Sequence, residues 1–171
     1  PLYRRGFGQK KHGAAMVINT FLVEDHADVR DTLIQAMQAI APCRFVGHAE
    51  TESAARQWLV ACADDWHLAI VDLFLADGSG FGVLRHCQQR RPGQKVVVLT
   101  SYTHENIVKK CLSLGADDVF DKAGELEELV EYCRAHAASL DVMAAPPATP
   151  PAAWTVQRFP RSADIPESRV T

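Results

Sequence analysis

Five side chains capable of chemistry stand where short strand-like runs end. Glu24 and Asp25 follow Phe21-Leu22-Val23, Asp72 follows Leu68-Ala69-Ile70-Val71, Thr100 follows Val97-Val98-Leu99, and Lys122 follows the stretch from Asp117 to Asp121. Three carboxylates brought into one crevice repel strongly unless a cation joins them or one stays protonated. A hard divalent ion such as Mg²⁺ fits, because it takes one or two carboxylates, keeps several waters and shares phosphate oxygens. Lys122 would add a flexible point charge suited to a phosphoryl oxygen, and Thr100 a hydroxyl donor. The chemistry these types describe is stabilisation of a phosphoryl group on Asp72, with its carboxylate as nucleophile. Singly, each residue has a plain structural account. Asp72 could cap the helix that opens near Ser79, Thr100 could be a cap, and Lys122 could be solvated. The signal is joint: each type stands at the same end of its strand.

The elements that must position these residues alternate in type. A strand from Val17 to Val23 is followed by Val29, Leu33, Ile34, Met37 and Ile40 at helical spacing behind Asp28, and Pro42 ends that helix. Arg44 to Ala49 reads as a second strand. Thr51 can cap a helix that buries Ala55, Leu59 and Cys62, and the strand into Asp72 comes next. Ser79 precedes a helix with Val83, Leu84 and Cys87 inward, which Pro92-Gly93 breaks. Lys95 to Leu99 is a fourth strand. Thr103 can cap a helix through Ile107, Cys111 and Leu114 that closes at Gly115. After the fifth strand, a last helix from Glu125 to about Leu140 packs Leu126, Leu129, Val130 and Cys133. Short apolar runs alternating with helices imply a parallel sheet covered on both faces. The expected fold is therefore α/β, a five-stranded parallel doubly wound sheet. With strand order 2-1-3-4-5, the first and third strands meet at the switch point, where ligands bind off the carboxyl ends.

The bulk properties bound the rest. A chain of 171 residues, 47% apolar, has room for one domain with tails. Residues 1–15 carry Arg4, Arg5, Lys10 and Lys11 with no acid and read as a flexible basic leader or a vector-derived remnant before Met16. Residues 16–142 form the expected domain. Residues 143–171 are Pro/Ala-rich and read as a disordered tail. The net charge of -3 hides a more acidic middle, which argues against a nucleic-acid groove on this chain alone. Five scattered cysteines without a C-x-x-C pair suit a reduced compartment. No apolar run approaches the roughly 20 residues that cross a bilayer, and no signal peptide is apparent. The expected location is cytoplasmic, with no membrane partner.

The stretches Phe21-Leu22-Val23-Glu24-Asp25, Ile70-Val71-Asp72-Leu73-Phe74-Leu75-Ala76-Asp77-Gly78-Ser79-Gly80, Val97-Val98-Leu99-Thr100-Ser101 and Gly115-Ala116-Asp117-Asp118-Val119-Phe120-Asp121-Lys122 resemble the response regulator receiver domains of two-component signal transduction systems. The resemblance covers about Met16 to Leu140 and implies a flavodoxin-like, receiver-like fold. It further implies that Asp72 takes a phosphoryl group from a sensor histidine kinase or a histidine phosphotransfer protein. Glu24, Asp25, Asp72 and the backbone carbonyl of Phe74 would bind Mg²⁺, and Thr100 and Lys122 would contact the phosphoryl oxygens. The output would be a downstream protein effector, or a homodimer through a face carrying Lys109, Lys110, Asp117, Asp118, Glu128, Glu131 and Arg134. Such a chain is not an enzyme in the usual sense, since it accepts phosphate on itself and loses it by autodephosphorylation.

Three positions depart from the family pattern. The residue three before the lysine, commonly Tyr or Phe, is Val119, so the aromatic rotamer that couples to Thr100 in the family has no counterpart there. Phe120 cannot replace it, because successive strand residues face opposite sides. Ala76 and Ala123 stand where prolines are common. Phe74 and Tyr102 occupy positions that tune dephosphorylation in the family, and their bulk implies slow loss of phosphate. Alternative readings are the receiver part of a truncated DNA-binding transcription regulator and a receiver-like interaction module that takes no phosphate. A metal-dependent phosphatase fits less well, because its usual second acid two residues after the nucleophile is replaced by Phe74.

Overall fold

The computed structural model describes residues 16–144. The flexible basic leader expected over residues 1–15 and the Pro/Ala-rich tail expected from residue 143, as far as it runs beyond Ala144, lie outside the described residues. Five strands alternate with five helices: β1 (Ile18–Val23), α1 (Ala27–Ile40), β2 (Cys43–Ala49), α2 (Glu52–Ala61), β3 (Leu68–Val71), α3 (Gly80–His86), β4 (Lys95–Thr100), α4 (Glu105–Ser113), β5 (Asp118–Asp121) and α5 (Leu126–Ala144). All pairings are parallel and the strand order is β2-β1-β3-β4-β5.

β3 and β4 are buried along nearly their whole length, and each strand sends alternate residues to opposite faces. Ile18, Leu22, Leu68, Ile70, Val97 and Phe120 meet α1 and α5 through Leu33, Met37, Leu129, Cys133 and Ala137. Phe21, Val23, Ala69, Val71, Val96 and Val98 meet α2, α3 and α4 through Ala55, Leu59, Val83, Leu84 and Cys111. Val119 packs with the second set and Phe120 with the first, so the two residues do face opposite ways. Phe120 stands edge-on to Tyr132 of α5, ring centroids 5.8 Å apart.

The helix ends follow local chemistry in part. Thr51 Oγ1 accepts from the Ala54 amide at 3.1 Å and caps α2. Ser79 Oγ accepts from the Phe81 amide at 3.1 Å and caps α3. Gly115, with φ of +97°, closes α4 in the left-handed region as expected. Thr103 does not cap α4. His104 holds that position, while the Thr103 hydroxyl turns to Asp121 Oδ2 at 3.2 Å. Val29 and Ile40, expected inward on α1, are 42% and 50% exposed, while Leu33 and Met37, with Ile34 partly buried beside them, pack over the sheet. Cys62 is only half-buried, lying just past the end of α2.

At the amino end of the sheet, His67 Nδ1 accepts from the Asn19 amide at 2.9 Å, and His136 Nε2 bonds the His67 carbonyl at 3.0 Å. Burial pushes both imidazoles below their ordinary range, with Arg44 adding to the effect at His67. Both therefore take a proton more readily when unfolded, so the stability they contribute is present above about pH 6.5 and lost as pH falls below it. Urea midpoints should drop between pH 7 and pH 5, and His136→Gln should flatten that slope. An equal slope in the variant would contradict this account.

Candidate functional site

The strand registers set up the site. Val23 pairs with Val71, so Glu24 and Asp72 follow on neighbouring strands, with the Asp72 amide donating to the Val23 carbonyl at 2.9 Å. Neighbouring strands lie about 4.8 Å apart. Thr100 pairs with Asp121, and the Lys122 amide donates to the Thr100 carbonyl at 3.0 Å, which carries Lys122 one residue beyond the pair.

Lys122 crosses back to the acids. Its Nζ donates to Glu24 Oε2 at 2.6 Å and to Asp72 Oδ2 at 2.7 Å. Glu24 is 1% exposed, and Asp72 is also buried. Burial alone would push the Lys122 ammonium down, but its bonds to Asp72 and Glu24 outweigh this and hold it above its ordinary value. The other oxygen of Asp72, Oδ1, accepts from the Leu73 amide at 2.7 Å. Asp72 is thus no helix cap, since Ser79 fills that role. Asp25 stands at the side of this trio. Its Oδ2 accepts from the Ala76 amide at 2.9 Å and its Oδ1 faces His26 Nδ1 at 2.9 Å. Burial opposes ionisation of Asp25, but these partners hold its carboxyl below the usual carboxylate range.

Thr100 is fully buried and its hydroxyl has no hydrogen-bond partner among the described residues. Buried hydroxyls are costly when unpaired and uncommon, so this one has a donor and an acceptor to spare. The Phe74 amide lies 3.5 Å from Asp72 Oδ1, and the Phe74 ring packs on Tyr102, centroids 4.5 Å apart at 55°. These rings are 46% and 52% exposed at the mouth of the site.

Glu24, Asp72 and Lys122 are therefore in direct contact, with Asp25 tied to the loop after β3 and Thr100 buried near the end of β4. Glu24 and Asp72 share one ammonium, Asp25 stands beside them, and all three offer hard carboxylate oxygens, a set that fits a divalent cation such as Mg²⁺. The metal-type grouping with ligand atoms within 4.8 Å of one another is Glu24, Asp25 and His26. Asp72 is turned to Lys122 and the Leu73 amide instead. His26 went unnoticed in the sequence, although its place directly after the acid pair was the available signal. Glu52, whose Oε2 accepts from the Ser79 amide at 3.0 Å, has no signal in the sequence, because that contact joins segments distant along the chain. On the α4-β5-α5 side several charges are satisfied within the chain: Lys109 pairs with Glu105 at 2.5 Å, Asp117 with Arg90 and Lys95 at 2.8 Å, and Arg134 with Glu131.

Among the described residues no helix is long and apolar enough to cross a membrane. A family model described as "Response regulator receiver domain" matches residues 20–134. The DNA-binding transcriptional activator DevR/DosR of Mycobacterium tuberculosis is 32% identical over 100 residues, covering 58% of this chain and 45% of that protein. A cyclic di-GMP phosphodiesterase of Thermotoga maritima is 30% identical over 112 residues, covering 66% of this chain and 29% of that protein. The chain thus spans less than half the length of either relative. The crystal structure of the signal receiver domain of a Luxo repressor protein from Vibrio parahaemolyticus superposes with a TM-score of 0.62 at 25% identity, covering 77% of this chain and 100% of that one.

Proposed function

The chain belongs to the response regulator receiver domain family of two-component systems, and on that premise we propose that it accepts a phosphoryl group on Asp72 from the phosphohistidine of a sensor histidine kinase or histidine phosphotransfer protein. The observation that carries this reading is Lys122 Nζ, held 2.6 Å from Glu24 and 2.7 Å from Asp72. An Asp72 oxygen attacks phosphorus, a P–O bond forms, and the P–N bond to the donor imidazole breaks with its electron pair going to nitrogen. Lys122 moves from Asp72 to a phosphoryl oxygen, which keeps the ammonium paired throughout. Thr100 donates its unpaired hydroxyl to another phosphoryl oxygen. Glu24, Asp25, Asp72 and the Phe74 carbonyl would hold Mg²⁺, which supplies charge neutralisation for the transferred group.

The signal then follows from a local change of charge that biases the packing of α4, β5 and α5. That face would engage a downstream protein effector or a second copy of the chain. The test is incubation with acetyl phosphate and Mg²⁺ followed by intact-mass measurement. A gain of one phosphoryl group supports the reading, and no gain where Mg²⁺ binds favours a module that works without phosphate. Phe74 and Tyr102 shield the acyl phosphate from water, so the phosphorylated form should outlast seconds and Phe74→Ala should shorten its life several-fold. A half-life of seconds in the wild type would refute the shielding.

The DNA-binding name of DevR/DosR, matched over 45% of its length, favours a second reading in which this chain is the receiver part of a longer transcription regulator. A reading frame continuing past Thr171 into a helix-turn-helix would decide for it.

A further inference from the structure

We infer that Glu52 is a positioning residue for Asp72, clamping the loop between β3 and α3 that holds the phosphoacceptor carboxylate in place. This deepens the proposed phosphoacceptor reading and rests on it. Glu52 opens α2, and two of its groups reach across to the loop. Its amide donates to the Asp77 carbonyl at 3.2 Å, and its Oε2 accepts from the Ser79 amide at 3.0 Å. Glycines at alternate positions make the notch it occupies. A Cβ on Gly78, whose φ is +85°, would collide with the Glu52 Cβ, and a Cβ on Gly82 would fall within the Glu52 carboxylate. Gly80 backs onto the Asp72 carbonyl and leaves no room for a side chain.

From Ser79 the contacts run inward to the nucleophile. The Gly80 amide donates to the Leu73 carbonyl at 3.0 Å, and the Leu73 amide donates to Asp72 Oδ1 at 2.7 Å. On the other side the Ala76 amide is held by Asp25 Oδ2 at 2.9 Å. The loop is therefore pinned from β1 by Asp25 and from α2 by Glu52. Thr51 caps α2 and Ser79 caps α3 with their own hydroxyls, and Glu52 adds to the α3 end an acceptor for the Ser79 amide that comes from a different element. A favourable acid in the first turn of α2 explains the residue type. It does not explain why the carboxylate crosses to the Ser79 amide.

Misplacing a reacting group by about an ångström costs roughly a hundredfold in rate. Glu52→Ala should therefore slow phosphorylation by acetyl phosphate with Mg²⁺, at saturating donor, by roughly ten- to a hundredfold. Glu52→Gln keeps an oxygen that accepts from Ser79 and should stay close to the wild-type rate. Gly82→Ala is an independent arm, since its methyl takes the place of the carboxylate while Ala is the better helix former. It should slow phosphorylation like Glu52→Ala without lowering the thermal midpoint. Hydrogen exchange at the amides from Leu73 to Ser79 should quicken in both variants. Wild-type phosphorylation rates in Glu52→Ala and Gly82→Ala would overturn the inference, as would equal slowing in Glu52→Gln that tracks the thermal midpoint. Failure of the wild type to take phosphate would sink the phosphoacceptor reading instead, and unchanged loop exchange in the variants would then overturn the clamp separately.

Discussion

Asp72→Asn is expected to gain no phosphoryl group under conditions in which the wild type gains one. The carboxamide has almost the shape of the carboxylate, so the loop contacts survive: its oxygen can still accept from the Leu73 amide, and Lys122 keeps its 2.6 Å bond to Glu24. What disappears is an anionic oxygen able to form a P–O bond. Intact mass reads the outcome, with circular dichroism confirming that the variant folds. A variant that still gains the mass would move the nucleophile to another acid, with buried Glu24 the first alternative.

Lys122→Met should cost about 3 kcal/mol of stability at neutral pH, because removing one partner of a buried ion pair leaves uncompensated charge behind. Glu24 is almost fully enclosed, and in the variant it faces Asp72 without the shared ammonium. In the wild type the folded pKa of Lys122 is raised, so its contribution is complete below the unfolded value of about 10.4 and is lost only as pH rises through the folded one. In the variant the two carboxylates face each other without a shared cation and repel. Mg²⁺ should recover part of the loss at neutral pH, since a ligand that binds only the folded state stabilises it. Urea unfolding at two pH values, with and without Mg²⁺, checks all three expectations. A variant as stable as the wild type at neutral pH without Mg²⁺ would mean that the lysine does not compensate the acids.

The fold was legible because its signals are local. Runs such as Leu68-Ala69-Ile70-Val71 and Val96-Val97-Val98-Leu99 suit strands buried on both faces, and the observed strands fall within a residue or so of the expected ones. Thr51, Ser79 and Gly115 act where a cap or a left-handed residue was expected. Thr103 looked like a cap on the same grounds, yet Asp121 on a neighbouring strand claims its hydroxyl. Val29 and Ile40 obey helical spacing and still face solvent, because periodicity gives a face but not its width.

By itself the sequence determined the α/β alternation, the residue types at each strand end and the family. Strand propensity and side-chain chemistry are properties of a few neighbouring residues, which one chain displays in order. Only the tertiary structure decided that Lys122 sits between Glu24 and Asp72, that the Thr100 hydroxyl is left without a partner, and that Glu52 enters a notch of glycines some thirty residues away. Those relations depend on register and loop path, which exist only after distant segments have packed.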